Sequence, residues 1–147
     1  MIRPATLDDL PRLLALGRAM HAESRYSVLS YSADKVLDML MLVMQRGLVL
    51  VAERDGHVIG GFAGIVEPHW FSTDLIATDL ALFVEPGKRG GFAAAALVGG
   101  FLDWAEQRGA KMIDILINTG VRIEATARLF ERLGGRNSGL IYTWGST

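Results

Sequence analysis

The stretch with the clearest chemical capacity is Leu82-Phe83-Val84-Glu85-Pro86-Gly87-Lys88-Arg89-Gly90-Gly91-Phe92-Ala93-Ala94. An apolar strand-like run ends in a basic, glycine-rich turn, and a helix with a small-residue first half follows. Glycines let a backbone come close to a ligand. A helix start offers unpaired N–H groups and positive partial charge to an anion. With Lys88 and Arg89 beside them, these groups suit a phosphate-bearing cofactor. Two other glycine motifs do not fit. A P-loop needs Ser or Thr after its lysine to hold magnesium, and here Arg89 follows Lys88. The dinucleotide fingerprint GxGxxG is absent, and no first strand of a Rossmann unit precedes the turn.

The elements that must position this turn follow from periodicity. Met1 to Arg3 reads as a short strand stopped by Pro4, and Thr6 with Asp8 and Asp9 as a helix start. Leu10, Leu13, Leu14 and Met20 mark the inner face of that helix up to Glu23. Ser24 to Ser32 is a loop carrying Tyr26 and Tyr31. A second helix runs from Ser32 to Gly47, with Val36, Leu37, Leu40, Met41 and Met44 inward. Leu48–Glu53 and His57–Glu67 are strands joined by an Asp55-Gly56 hairpin. Gly60, Gly61 and Gly64 would weaken the second strand unless another backbone or a ligand passes close. Pro68 to Leu75 connects to a strand over Ile76–Val84, and a helix spans Gly90–Arg108. Met112–Ile117 is a nearly all-apolar strand that should be buried on both faces. A helix over Ile123–Leu133 and a last strand over Leu140–Trp144 complete the chain. The order β-α-α-β-β-β-α-β-α-β predicts one α/β (α+β) domain over residues 1–147, with helices on both faces of a mixed, mostly antiparallel sheet. Its strand-helix-strand unit from Leu80 to Ile117 should be parallel and right-handed.

Composition bounds the function. The 147 residues suit one domain with a single core. Half are apolar and the formal net charge is −1, so nothing draws the chain to nucleic acid or anionic membrane, and basic residues form no stripe. With no cysteine, disulfides, thiolate metal sites and a cysteine nucleophile are all excluded, and no metal site is expected. The N-terminus shows no leader pattern, and no apolar run approaches the ~20 residues of a membrane span. A cytoplasmic protein is the expectation.

The run Leu82 to Ala94 resembles the acetyl-coenzyme A signature of the GNAT N-acetyltransferase superfamily: Gln or Arg, two residues, Gly, one residue, then Gly or Ala. Arg89 takes the first place and Ala94 the last, with Phe92 where the middle glycine is usual. A register from Lys88 would put Gly91 and Ala93 in the small places. The Arg89 register sets Val84-Glu85-Pro86 at the family's usual distance. The element order, Ile2-Arg3-Pro4-Ala5, the Asp55-Gly56 hairpin and Leu129-Phe130-Glu131-Arg132-Leu133-Gly134 also look like family landmarks. The resemblance implies a GNAT-like fold and acetyl transfer from acetyl-coenzyme A to a primary amine of a small molecule or protein. A non-catalytic acyl-coenzyme A binding or regulatory module is the alternative.

By that resemblance, Leu82, Phe83 and Val84 would flank the pantetheine arm, and Lys88, Arg89, Gly90, Gly91, Phe92, Ala93 and Ala94 would hold the pyrophosphate. Phe130 stands where the family commonly has a proton-returning tyrosine, so Tyr142, water or no acid at all would serve. Asp79 ranks first as the general base, followed by Glu67 and by His69, whose ordinary pKa lies near the working range. Tyr26, Tyr31, Trp70 and Phe71 form an aromatic set for the acceptor pocket. Glu124 and Arg128 read as a surface pair. A homodimer is expected.

Overall fold

The computed structural model describes residues 1–145. One mixed sheet, in the order β1-β2-β3-β4-β5, contains β1 (Ile2–Pro4), β2 (Leu48–Arg54), β3 (His57–Pro68), β4 (Leu75–Val84) and β5 (Met112–Asp114). Neighbours β1 to β4 are antiparallel, and β5 runs parallel to β4. The α-helices among the described residues are α1 (Leu10–Glu23), α2 (Ala33–Arg46), α3 (Ala93–Gln107) and α4 (Ile123–Arg132).

Strand alternation explains why both faces are covered. Leu50 and Ala52 of β2 join the core beneath α3, whereas Val49 and Val51 join the core beneath α1 and α2. Leu97, Val98, Phe101 and Ala105 form the buried stripe of α3, and Leu10, Leu13 and Leu16 that of α1. Asp55 and Gly56 both take positive φ between β2 and β3, as a two-residue hairpin turn requires. Pro4 continues β1 instead of stopping it. It lies on an edge strand, where a missing N–H costs no central ladder bond.

Two glycines of β3 are explained by close neighbours. A Cβ on Gly64 would lie 2.3 Å from the Phe101 ring, and one on Gly60 would lie 2.7 Å from the Phe83 carbonyl oxygen. Gly64 thus lets Phe101 reach the sheet, where its ring meets that of Phe62 at 4.5 Å. Such an aromatic pair contributes about 0.5–1.5 kcal/mol beyond the area it buries.

Several expected elements differ in extent. The helix after the glycine-rich turn starts at Ala93, with a 3-10 turn at Pro86–Lys88 before it. On α2, Met41 is exposed and Val43 is the buried residue. The β5 strand stops at Asp114, short of Ile117, and both Met112 and Asp114 are exposed rather than buried. Residues Leu140–Trp144 form no strand. Leu140, Ile141, Tyr142 and Trp144 are exposed, and the segment is tied to the body by Arg25 Nη1 donating to Thr143 Oγ1 at 3.2 Å. A run of β-formers gives a strand only where a sheet edge pairs with it, and β5, three residues long, offers little edge.

Gly64→Ala should therefore lower unfolding stability by about 1–3 kcal/mol, because the new methyl overlaps a fully buried ring in a rigid strand. Urea denaturation checks this. A variant as stable as the wild type would show that Phe101 has room to retreat.

Candidate functional site

The site originates in one extra residue. Ala63 pairs with Ala81 but Gly64 pairs with Asp79, so Leu80 is a bulge in β4. A bulge inverts the alternation of the strand beyond it and sharpens its twist. Ala77 and Val84, an odd number of residues apart, accordingly share the core beneath α3, while Phe83 faces the other core. Pairing of β4 with β5 is confined to Ile76–Met112, Ala77–Ile113 and Thr78–Asp114. From Asp79 onward that edge of β4 has no strand beside it. Asp79 Oδ1 accepts from the Leu116 N–H at 3.0 Å, replacing the ladder bond at the mouth of the gap.

The gap opens into a cleft of about 830 Å³. Asp79 to Val84 form one wall and Leu116 to Thr119 the opposite one. The α1 and α2 helices close it on one side, and Arg128, Leu129 and Phe130 of α4 on another. Lys88, Arg89, Gly90, Gly91 and Ala94 line its end. Gly90 takes φ +88° with nothing near the place of a Cβ, and no side chain caps the first turn of α3. The early N–H groups of that helix are therefore free to meet an anion. Arg54, across the sheet on the β2–β3 hairpin, reaches the same turn. A Cβ on Gly91 would stand 3.1 Å from its Nη2.

Arg89 turns inward. Its Nε–H donates to the Val84 carbonyl at 2.8 Å, its guanidinium pairs with the Glu23 carboxylate, and it lies 5.2 Å from the Phe83 ring centre. Nearby, Arg25 acts as a clamp. Its Nε donates to the Asn118 carbonyl at 2.5 Å and its Nη2 to the Tyr26 hydroxyl at 2.9 Å, while its backbone N–H donates to Thr119 O at 2.8 Å. The loop after α1 is thereby fixed against the far wall of the gap. Tyr31 also lines the cleft, but its hydroxyl is committed to the Leu14 carbonyl at 3.1 Å. Burial pushes the Tyr31 phenol pKa up, and the Arg18 cation over its ring opposes that shift.

Asp79 is the carboxylate whose setting matters most for chemistry. Burial pushes its pKa above the usual aspartate value, and the backbone N–H of Leu116 pulls in the opposite direction. A carboxylate so placed, in a cleft and with raised basicity, suits proton abstraction at neutral pH.

The structure brings Asp79, Leu82, Phe83, Val84, Lys88, Arg89, Gly90, Gly91, Ala94, Phe130, Tyr26 and Tyr31 together around this cleft. It leaves Glu67, His69, Trp70 and Phe71 outside. Glu67 pairs opposite Ile76, three residues and roughly 10 Å along the strand from Asp79, towards the hairpin tip. His69 closes that tip, its backbone N–H donating to Asp74 O at 3.2 Å, and packs 4.1 Å from Phe71. Trp70 and Phe71 are largely exposed there. Phe92 points to solvent and Ala93, the first residue of α3, is buried in the core, so that pair offers the cleft only backbone. Tyr142 is on the exposed tail. Arg128 faces the cleft, and no ion pair joins it to Glu124 among the described residues. Sequence reading missed Glu23, Arg25 and Arg54, whose partners lie far along the chain. Among the described residues no group of acidic or histidine side chains is arranged to hold a metal, and no helix is long and apolar enough to cross a membrane.

The fold is that of acetyltransferases. A Trypanosoma brucei acetyltransferase superposes with a TM-score of 0.73 at 15% identity, covering 99% of this chain and 98% of the other. An aminoglycoside 6'-N-acetyltransferase from Acinetobacter haemolyticus gives 0.74 at 16% identity, over 100% and 98%. A ribosomal-protein-alanine N-acetyltransferase from Brucella melitensis gives 0.69 at 19%, over 99% of each chain. No curated protein matches the sequence significantly. The sequence profile of the acetyltransferase (GNAT) family matches residues 15–135, and the chain belongs to that family.

The raised pKa of Asp79 makes a stability prediction. A carboxyl whose folded pKa lies above its unfolded value favours folding while protonated, and that contribution is lost as pH rises through the folded pKa. Asp79→Asn keeps an oxygen for the Leu116 N–H and removes the buried charge. Its melting temperature should match or exceed that of the wild type at pH 7, and the difference should vanish below pH about 4, where the unfolded carboxyl is protonated too. A variant clearly less stable at pH 7 would show that the charge itself holds the gap open.

Proposed function

We propose that the chain is an acetyl-coenzyme A-dependent N-acetyltransferase acting on a primary amine of a small molecule or protein in the cytoplasm. The observation that carries this is the unpaired edge of β4 from Leu80 to Val84, leading directly into an uncapped glycine-rich helix start with Asp79 at its other end. The residues present suit the cofactor. A free strand edge can pair with the amides of a pantetheine arm, and the turn at Lys88–Gly91 offers N–H groups and cations to a pyrophosphate. Bound acetyl-coenzyme A would supply an acetyl thioester as electrophile.

The chain's own residues do the rest. Asp79 takes the proton that an ammonium must lose before its nitrogen can attack. Tyr26, held by Arg25, and Asn118 line the acceptor half of the cleft, and α2 covers it from water. Phe130 lines the cleft without a proton to give, so no acid from that position of α4 is invoked. The solved acetyltransferases of this fold include an aminoglycoside enzyme and a ribosomal-protein enzyme, which supports an amine acceptor without choosing between the two classes.

Calorimetry with acetyl-coenzyme A should give saturable binding below millimolar concentration. Arg89→Glu should weaken it by roughly tenfold or more, since a carboxylate would then face the pyrophosphate. Release of free thiol across a panel of primary amines should require Asp79. No saturable binding to a folded wild type would overturn the reading.

A further inference from the structure

Glu23 is the last residue of α1, and the fold places it against the glycine-rich turn, lining the same cleft as Ser24 and Tyr26. Its carboxylate pairs with Arg89, whose side chain is largely buried. The same guanidinium group holds the Val84 carbonyl through Nε. Two groups that the proposed cofactor needs, the Arg89 cation and the Val84 acceptor, are therefore both engaged internally, the first by Glu23 and the second by Arg89 itself. A diphosphate that recruits Arg89 competes with Glu23 for its guanidinium.

The displaced carboxylate has a further use. The charged residues lining the cleft are otherwise cationic: Lys35, Lys88, Arg122, Arg128 and Arg132 join Arg89. Glu23 and Asp79 are the only acids among its described lining residues. An acceptor that arrives as an ammonium has these two carboxylates as its anionic partners, and Asp79 is the one read as the base.

Resting on the acetyltransferase reading above, we propose that Glu23 is a latch and an acceptor-binding residue in turn. In the cofactor-free protein it holds Arg89 in place of the cofactor's diphosphate. Once displaced, it presents its carboxylate to the acceptor ammonium, so the acceptor site is completed by cofactor binding.

Glu23→Gln separates these roles from simple loss of structure, because the residue is at an exposed helix end and the amide is isosteric. Calorimetry should show coenzyme A binding about two- to fivefold more tightly to the variant than to the wild type, the range expected for removing one partly exposed competing ion pair. With the panel amine that the wild type turns over fastest, KM should rise on the order of tenfold with kcat little changed, as for loss of a charged hydrogen-bond partner. Glu23→Asp should restore much of the wild-type KM. Equal or weaker coenzyme A binding in a folded Glu23→Gln protein overturns the latch, and an unchanged amine KM overturns the acceptor role. Absence of coenzyme A binding to both proteins, or of turnover of every panel amine by the wild type, instead rejects the acetyltransferase reading, and this inference falls with it.

Discussion

The structure depends on the misregistration of β4 against β3 at Leu80. A regular strand would keep Ala77, Asp79, Ala81 and Phe83 on one face and could continue its parallel ladder with β5. The extra residue rotates the second half of β4, so Val84 rather than Phe83 shares the core of Ala77, and the ladder to β5 ends at Thr78. An unpaired strand edge inside a protein is costly unless something answers its polar groups. Here the first answer is the Asp79 carboxylate bonded to Leu116, and the second is the Arg89 guanidinium bonded to Val84. Side chains thus do at the two ends of the gap what a neighbouring strand would have done along it.

Those two substitutes are chemically opposite, and this gives the cleft its polarity. Asp79 is an acid held where burial disfavours its charge, so it is poised to accept a proton. Arg89 is a guanidinium paired with the Glu23 carboxylate. The basic end lies at the start of α3, where the helix dipole adds to the positive potential, and the acidic end lies below the bulge. The sheet that carries both ends is firm because each face has its own core. Phe101 packed at a tilt against Phe62 through the space left by Gly64 anchors α3, and with it the glycine-rich turn, to the strand that pairs with β4.

Much of this fold was legible because its signals are local. The helical stripes of α1 and α3, the Asp55-Gly56 hairpin and the parallel return after α3 all follow from period, turn chemistry and order along the chain. What failed were inferences that needed a partner. Leu140 to Trp144 has the composition of a strand but finds no long edge on β5, and β5 is short because Leu116 is drawn to a side chain instead of a neighbouring backbone. Met41 sits at an inward-reading position on α2, yet it is exposed, and Val36, Leu40 and Val43 of that helix line the cleft.

The site divides along the same line. Residues contiguous with the glycine-rich turn could be read from sequence, and Asp79 could be ranked because it lies on the strand leading there. Glu67 and His69 lie close to Asp79 in the chain, and the hairpin carries them away from it at the rise of an extended strand, which no composition argument measures. Glu23, Arg25 and Arg54 present the converse case. Each is an ordinary charged residue in its own neighbourhood, and its meaning comes from a contact made only after α1 and the β2–β3 hairpin have packed beside the gap. Because the bulge opens that gap, the same feature that leaves the β4 edge free also creates the positions at which distant charges come to sit beside the cleft.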